Sequence, residues 1–309
     1  MKIAKWQKYL LPGLMFFFCA VFLVSAGFLI KYALNSTKQT EQNDELANLV
    51  DQIQQDLNND YRPIPTLPQA PQQPENPDNP DDPQAPTGDS TANPTIPYSE
   101  PESAYTEITH PSTGETMKVL KEYAPVFERN TDMVGWIKIP GTKIHYPVVQ
   151  TPNSPNYYLK RDFYKKSSSH GTIYASELAD IKTPSDNVTL FGHNMNDGSM
   201  FAALHGYNTK DFFEKNPYII FDTLYEHHTY QIFAVFYTTD IVGQGFAYHA
   251  FVDGNTISFA EFVSTCKDLS LYDTGVTATY GDKLLTLSTC DKNYWDDHGR
   301  FVVVAKRIS

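Results

Sequence analysis

Three segments of this chain carry side chains that can do acyl-transfer chemistry. One strand-like run reads Lys283-Leu-Leu-Thr-Leu-Ser-Thr-Cys290. A second opens on an arginine, Gly299-Arg300-Phe-Val-Val-Val-Ala-Lys306. A third, almost a hundred residues before the cysteine, ends Leu190-Phe-Gly-His193-Asn-Met195. A thiol closing one strand, an imidazole closing another and a guanidinium opening a third can meet at one rim of a small barrel. Together they supply a nucleophile, an acid/base and an oxyanion partner. Alternation along Leu284–Cys290 puts Leu285 and Leu287 on one face and Thr286, Ser288 and Cys290 on the other, so the thiol points to the more polar side.

Each residue also has an ordinary reading: a buried structural cysteine, one histidine among nine, a surface arginine on a strand. The cysteine count bears on the first. Three cysteines are too few for a disulfide framework. Cys19 lies in an apolar run, and Cys266 follows Phe259, Phe262 and Val263 at helical spacing, which reads as a core face. Cys290 is left unpaired. Arg300 cannot be a base, because its pKa is too high; its use is a fixed cation with a donor fork. The backbone N–H of Asp291, just after the thiol, is the candidate second oxyanion donor. Asp291, Asp296 and Asp297 read either as solvated loop charges or as one partner orienting His193. His227 and His228 sit in a hairpin-like turn with no Cys, Asp or Glu at metal-ligand spacing, so no metal site and no cofactor is implied.

The elements around these residues divide into five parts: 1–9, a cytoplasmic N-terminus; 10–30, a transmembrane anchor; 31–62, a juxtamembrane segment; 63–104, an acidic proline-rich linker; and 105–309, the catalytic domain. Leu10 to Ile30 runs without a charge after Lys2, Lys5 and Lys8. Twenty-one residues at ~1.5 Å rise span a ~30 Å hydrocarbon core. The run exceeds a signal-peptide h-region and lacks a clear cleavage site, which favours an uncleaved anchor. The positive charge before the span puts the bulk of the chain outside the cell. Leu46, Leu49, Val50, Ile53 and Leu57 keep helical spacing in the juxtamembrane segment.

Between Pro63 and Pro101 there are twelve prolines, eight of them at every third position from Pro65 to Pro86. Polyproline II has three residues per turn. At ~3.1 Å per residue such a stretch reaches on the order of 120 Å, which reads as a stiff stalk lifting the domain outward. Residues 39–107, the polar juxtamembrane stretch and the linker together, carry fourteen acids against Arg62, so the net charge of −12 belongs to them. The folded part is nearly balanced, and nothing points to nucleic acid.

Beyond Tyr105 the patterns predict a helix over Glu115–Asn130, ended or kinked by Pro125. Strands are predicted at Gly135–Ile139, His145–Gln150, Gly171–Ala175, Val188–Gly192, Tyr218–Leu224, Thr229–Thr238, Leu284–Thr289 and Arg300–Arg307. A short helix falls at Ser199–Tyr207 and a longer one at Thr256–Leu269. Many short strands with few helices indicate a mainly β, α+β domain built as a barrel or sandwich.

Thr286-Leu-Ser-Thr-Cys290, Gly192-His193-Asn-Met195 and Arg300-Phe-Val-Val-Val-Ala-Lys306 resemble the signature segments of sortases, the membrane-bound cysteine transpeptidases of Gram-positive bacteria. Val134–Gln150 and Asn156–Phe163 resemble class B. The resemblance covers about two thirds of the chain, from Glu115 onward. It implies an eight-stranded barrel with an N-terminal helix, and a helix in the long loop before the cysteine strand. It also implies that Cys290 forms a thioester after the Thr of an Asn-Pro-x-Thr-(Gly/Asn)-like C-terminal sorting motif, and that His193 protonates the departing amine. The acyl group then passes to an amine of a peptidoglycan precursor or of a pilin. The implied partners are secreted proteins with a sorting signal, and the implied location is the cell membrane.

Leu159 and Ser288 are the expected substrate contacts. The family often has Asn four residues before that Leu; here Pro155 stands there and Asn156 follows. No Asp-Pro-aromatic lid triplet of the pilin-polymerising class occurs. A cell-wall cysteine peptidase is the rival enzyme, although such enzymes usually place Cys before His and on a helix. A wall-binding module on a stalk is the non-enzymatic rival, and it leaves the trio unexplained.

Overall fold

The computed structural model describes residues 7–61, 102–291, 293 and 295–309. The proline-rich segment read as a stalk lies outside them, apart from its last three residues. Helix α1 (Gln7–Tyr61) comes first. After residue 101 a hairpin of β1 (Tyr105–Thr109) and β2 (Thr116–Leu120) leads to the single turn α2 (Ala124–Phe127). Strands β3 (Met133–Lys138), β4 (His145–Val149), β5 (Ile173–Ala175) and β6 (Asn187–Phe191) follow. A short helix α3 (Lys210–Lys215) precedes β7 (Tyr218–Thr223) and β8 (Thr229–Thr239). Helix α4 (Thr256–Leu269) then precedes β9 (Leu284–Cys290) and β10 (Gly299–Arg307). Strands β3 to β10 close into a barrel in the order β10-β8-β7-β3-β4-β5-β6-β9, and β9 pairs with β10 to complete it. This is the eight-stranded barrel that the family resemblance implies.

Strands β8, β9 and β10 read as near-continuous apolar runs because both of their faces are covered. Leu285, Leu287, Phe301 and Val303 point into the barrel interior. Leu284, Val302 and Val304 point outward and meet α4 through Phe259, Phe262, Val263 and Cys266. Helix α4 begins where Asn255 accepts from the N–H groups of Ile257 and Ser258, with Ser258 returning the contact in a capping box. Its bounds are those the spacing predicts, and Cys266 is fully buried as expected.

The helix expected over Glu115–Asn130 is not there. Thr116–Leu120 pairs antiparallel with Tyr105–Thr109 around a turn in which Gly114 takes a φ of +71°. Thr116, Lys118 and Leu120 alternate with Met117 and Val119, and that period of two wins over helix propensity once a partner strand is present. Only Ala124–Phe127 remains helical. Pro125 falls in its first turn, where a missing N–H costs little, and so opens the turn instead of ending a helix. The short helix expected at Ser199–Tyr207 is a 3₁₀ stretch, Ala202–Asn208.

The segments read as anchor and juxtamembrane stretch form one unbroken helix. Its N-terminal part is apolar and unburied, with mean hydropathy 2.5, and is long enough to cross a membrane. Its C-terminal part lies on the barrel. Leu46 and Val50 are buried in a core shared with Val119, Trp136 and Phe163. Around them Glu45 pairs with Arg129 at 2.7 Å and Asp51 with Lys138 at 3.0 Å.

Candidate active site

The barrel brings the three chemical side chains to one rim through strand pairing. Strands β6 and β9 run parallel, with Phe191 opposite Ser288, so both emerge at the same end. His193 stands two residues past the end of β6, and Cys290 is the last residue of β9. Strand β10 runs antiparallel to β9 and sets Arg300 directly opposite Cys290. The thiol is partly exposed, whereas Cys266 is sealed in the core, where burial pushes its thiol pKa well up. Only one of the two can meet a peptide.

His193 has a defined tautomer. Its Nε2 lies 2.7 Å from the carbonyl oxygen of Leu159. A carbonyl only accepts, so Nε2 carries the proton and Nδ1 is left to exchange one. The Leu159 carbonyl sits over Gly171, whose φ is +62°; a Cβ there would lie 2.7 Å from that oxygen and 2.8 Å from the carbonyl of Tyr158. Gly171 is therefore required by both its backbone angle and its neighbour.

Arg300 is held by its surroundings. Asp240, one residue past the end of β8, accepts from Nη2, while Nη1 donates to the carbonyls of Asp297 (3.1 Å) and Gly299 (2.8 Å). Three of the five guanidinium hydrogens are thus placed on described partners. Asp240 also meets His298 Nδ1 at 2.8 Å.

The residues around Cys290 differ from expectation in two respects. The Asp291 N–H donates to the Gly299 carbonyl at 3.0 Å as part of the β9–β10 ladder, so it is not aimed at the groove as an oxyanion donor. Its carboxylate faces His205 Nδ1 at 3.3 Å instead of His193. His205, which no motif marks, stacks on Phe301 and sets Nε2 3.3 Å from the Cys290 carbonyl. Asn194 Nδ2 donates to that same carbonyl at 3.2 Å. The backbone of the nucleophile is therefore fixed from behind.

Of the expected substrate contacts, Leu159 lies at the rim through its carbonyl. Ser288 is 2% exposed and its hydroxyl shares a 2.6 Å hydrogen bond with Tyr248, which closes it off from direct contact. Two phenols border the site. Burial raises the pKa of Tyr174, with the Cys290 thiolate adding to the effect and Arg300 opposing it. Burial also pushes Tyr248 up to about 12, against its bond to Ser288 and the Arg300 charge. Tyr174 donates to Asn156 Oδ1 at 2.8 Å, and Asn156 takes a φ of +59°. Asn156 thus stands where the sequence displaced the family asparagine by one. Among the described residues no group of His, Cys, Asp and Glu could hold a metal ion.

A family model described as the sortase domain matches residues 137–308. Sortase B of Staphylococcus aureus is 34% identical over 182 residues, covering 58% of this chain and 71% of that protein. Sortase B of Listeria monocytogenes is 31% identical over 198 residues, covering 64% and 78% respectively. Among solved structures, the S. aureus sortase B–substrate complex superposes with a TM-score of 0.57 at 33% identity, covering 62% of this chain and 86% of that one.

Proposed function

This chain belongs to the sortase family of cysteine transpeptidases, and from that premise we propose that Cys290, His193 and Arg300 carry its reaction on a membrane-anchored barrel. The observation that carries the assignment is the cross-strand pair Arg300–Cys290, with His193 emerging from the adjacent parallel strand.

The substrate is a secreted protein with a C-terminal motif of the Asn-Pro-x-Thr-(Gly/Asn) kind. The Cys290 thiol gives its proton to His193 Nδ1, and the resulting thiolate attacks the Thr carbonyl carbon. Arg300, opposite Cys290 across the strand pair, stabilises the charge that develops on the carbonyl oxygen. When the tetrahedral species collapses, the C–N bond breaks and His193 Nδ1 gives its proton to the departing amine. The acyl group remains on sulfur as a thioester. An incoming amine of a peptidoglycan precursor or of a pilin then loses a proton to Nδ1 and attacks the thioester, and the thiolate leaves. The Leu159 carbonyl keeps Nε2–H in place throughout, so the same nitrogen gives and takes the proton. The apolar part of α1 anchors the enzyme as a single pass, with its N-terminus cytoplasmic and the barrel outside.

The test is turnover of a fluorogenic motif peptide with and without an added amine such as triglycine or meso-diaminopimelate. Cleavage after Thr, with an amine-linked product when the amine is present, supports a transpeptidase. Cleavage at another bond removes the motif assignment, and cleavage without any transfer to either amine removes the acceptor assignment.

A further inference from the structure

The two supports of His193 both run back to α1. Tyr32, Ser36, Gln39, Asn43, Leu46 and Val50 recur at alternating spacings of four and three, which places them along one helix face. The last two fill the shared core described above. The first four are polar or aromatic and touch the segments on either side of the histidine.

Ser36 donates to Asp197 Oδ2 at 2.5 Å. Asp197 lies in the loop that leaves His193 and returns at Phe201, whose N–H donates to the His193 carbonyl at 2.9 Å. The same Asp197 oxygen meets Nε2 of His170 at 2.8 Å, and Tyr32 stacks on the His170 ring. Burial would raise the Asp197 pKa, but bonds from Ser199, Ser36 and His170 outweigh it and hold the carboxylate well below its usual range. Asn43 Nδ2 reaches Met200 Sδ at 3.9 Å, at the far end of the same loop.

The other support is the Leu159 carbonyl. Ser168 donates to Gln39 Oε1 at 2.8 Å, and its backbone N–H donates to the Lys160 carbonyl at 3.1 Å. The chain then passes through buried His170 to Gly171, the residue packed under the Leu159 oxygen. Helix α1 thus grips the loop that carries the imidazole and the segment that holds the imidazole's acceptor.

We propose that residues 32–50 of α1 are a working part of the active site, and that Tyr32, Ser36 and Gln39 are positioning residues for His193. The proposal deepens the transpeptidase assignment and rests on His193 being its acid/base. It has a consequence for the proline-rich segment. Both α1 before that segment and β1 after it are docked on the barrel, so the distance from anchor to barrel is set by α1. Ser36 stands six residues past Ile30, on the order of 9 Å along the helix axis.

The test uses full-length protein in lipid nanodiscs, with Tyr32→Ala/Ser36→Ala, Ser36→Thr and, as a control on the opposite, exposed face, Glu41→Ala. Two readouts are taken: kcat and KM for a motif peptide, and the ring ¹⁵N signals of His193, which report its tautomer. The double variant should lower kcat about tenfold at unchanged KM, since displacements of ~1 Å cost up to ~10². It should also move the His193 ring signals away from pure Nε2–H. Ser36→Thr should stay close to wild type, as should Glu41→Ala. Unchanged kcat and ring signals in the double variant overturn the proposal. So does a loss of activity that follows a drop in Tm with the ring signals unmoved. If wild type turns over no peptide, the functional assignment fails, and the ring signals still decide whether α1 sets the histidine.

Discussion

Replacing His227 with Gln should destabilise the fold at pH 7 by about 3–5 kcal/mol, the cost of leaving buried charge without its partner. The imidazole sits between two carboxylates: Nδ1 is 2.8 Å from Asp222 and Nε2 is 3.1 Å from Glu122. Glu122 is fully buried and Asp222 is 3% exposed. Asp222 also accepts from the Tyr123 hydroxyl at 2.5 Å and from the His228 N–H at 3.0 Å. Burial works against a charged ring, but Asp222 and Glu122 outweigh it and raise the His227 pKa to about 10. A rise from about 6.5 to about 10 corresponds to roughly 5 kcal/mol by linkage. This is the same interaction that holds Asp222 below its ordinary carboxylate value, so it is counted once.

The sign follows from the direction of the shift. A pKa raised on folding adds stability that is fully present below about 6.5 and is lost as pH rises toward about 10. The assay is thermal unfolding of wild type and His227→Gln by circular dichroism from pH 6 to 9.5. At ~2–4 °C per kcal/mol the variant should melt roughly 6–20 °C lower near pH 6.5. The gap should narrow steadily toward pH 9.5. A constant gap across that range, or a cost below about 1 kcal/mol, would refute the charged clasp.

Arg300→Lys should lower kcat/KM by ~10²–10³, nearly as much as Arg300→Ala, because Lys keeps the charge and loses the planar fork that bonds Asp240, two carbonyls and the oxyanion at once; a Lys variant with close to full activity would mean that charge alone suffices. Gly171→Ala should cost about 1–3 kcal/mol from its backbone angle and should depress kcat by displacing the Leu159 carbonyl, as seen in peptide turnover at a temperature where the variant is folded. Cys266→Ala should leave turnover standing and lower stability by on the order of 1 kcal/mol in urea melts, as a small deletion in the α4 core.

The strands were legible because they are short, apolar and separated by turns, and because β9 and β10 are buried on both faces; the choice of a barrel over a sandwich came from the family resemblance and not from the pattern. The trio was legible because motif and strand end coincide at Cys290, His193 and Arg300. Three features were hidden for physical reasons. The β1–β2 hairpin is exposed on one side, so its apolar alternation is weak and a helix reading competes. Asp240 and His205 reach the site from strands and loops far away in the chain, with no local pattern to mark them. The seam of α1 from Tyr32 to Asn43 is polar, so it looks like a solvated face until Asp197, Ser168 and Met200 are set against it.

The central claim is that Cys290 carries the acyl group, and intact-protein mass spectrometry tests it most directly. Wild type, Cys290→Ala and Cys266→Ala are each mixed with a motif peptide, quenched in acid and weighed, then digested to locate the adduct. The expected result is a mass increase equal to the peptide acyl portion ending in Thr, on Cys290 of wild type and of Cys266→Ala, discharged by added amine or hydroxylamine. Cys290→Ala should show no adduct while keeping its melting curve. An adduct on Cys266, or turnover that persists in Cys290→Ala, would contradict the assignment of the nucleophile.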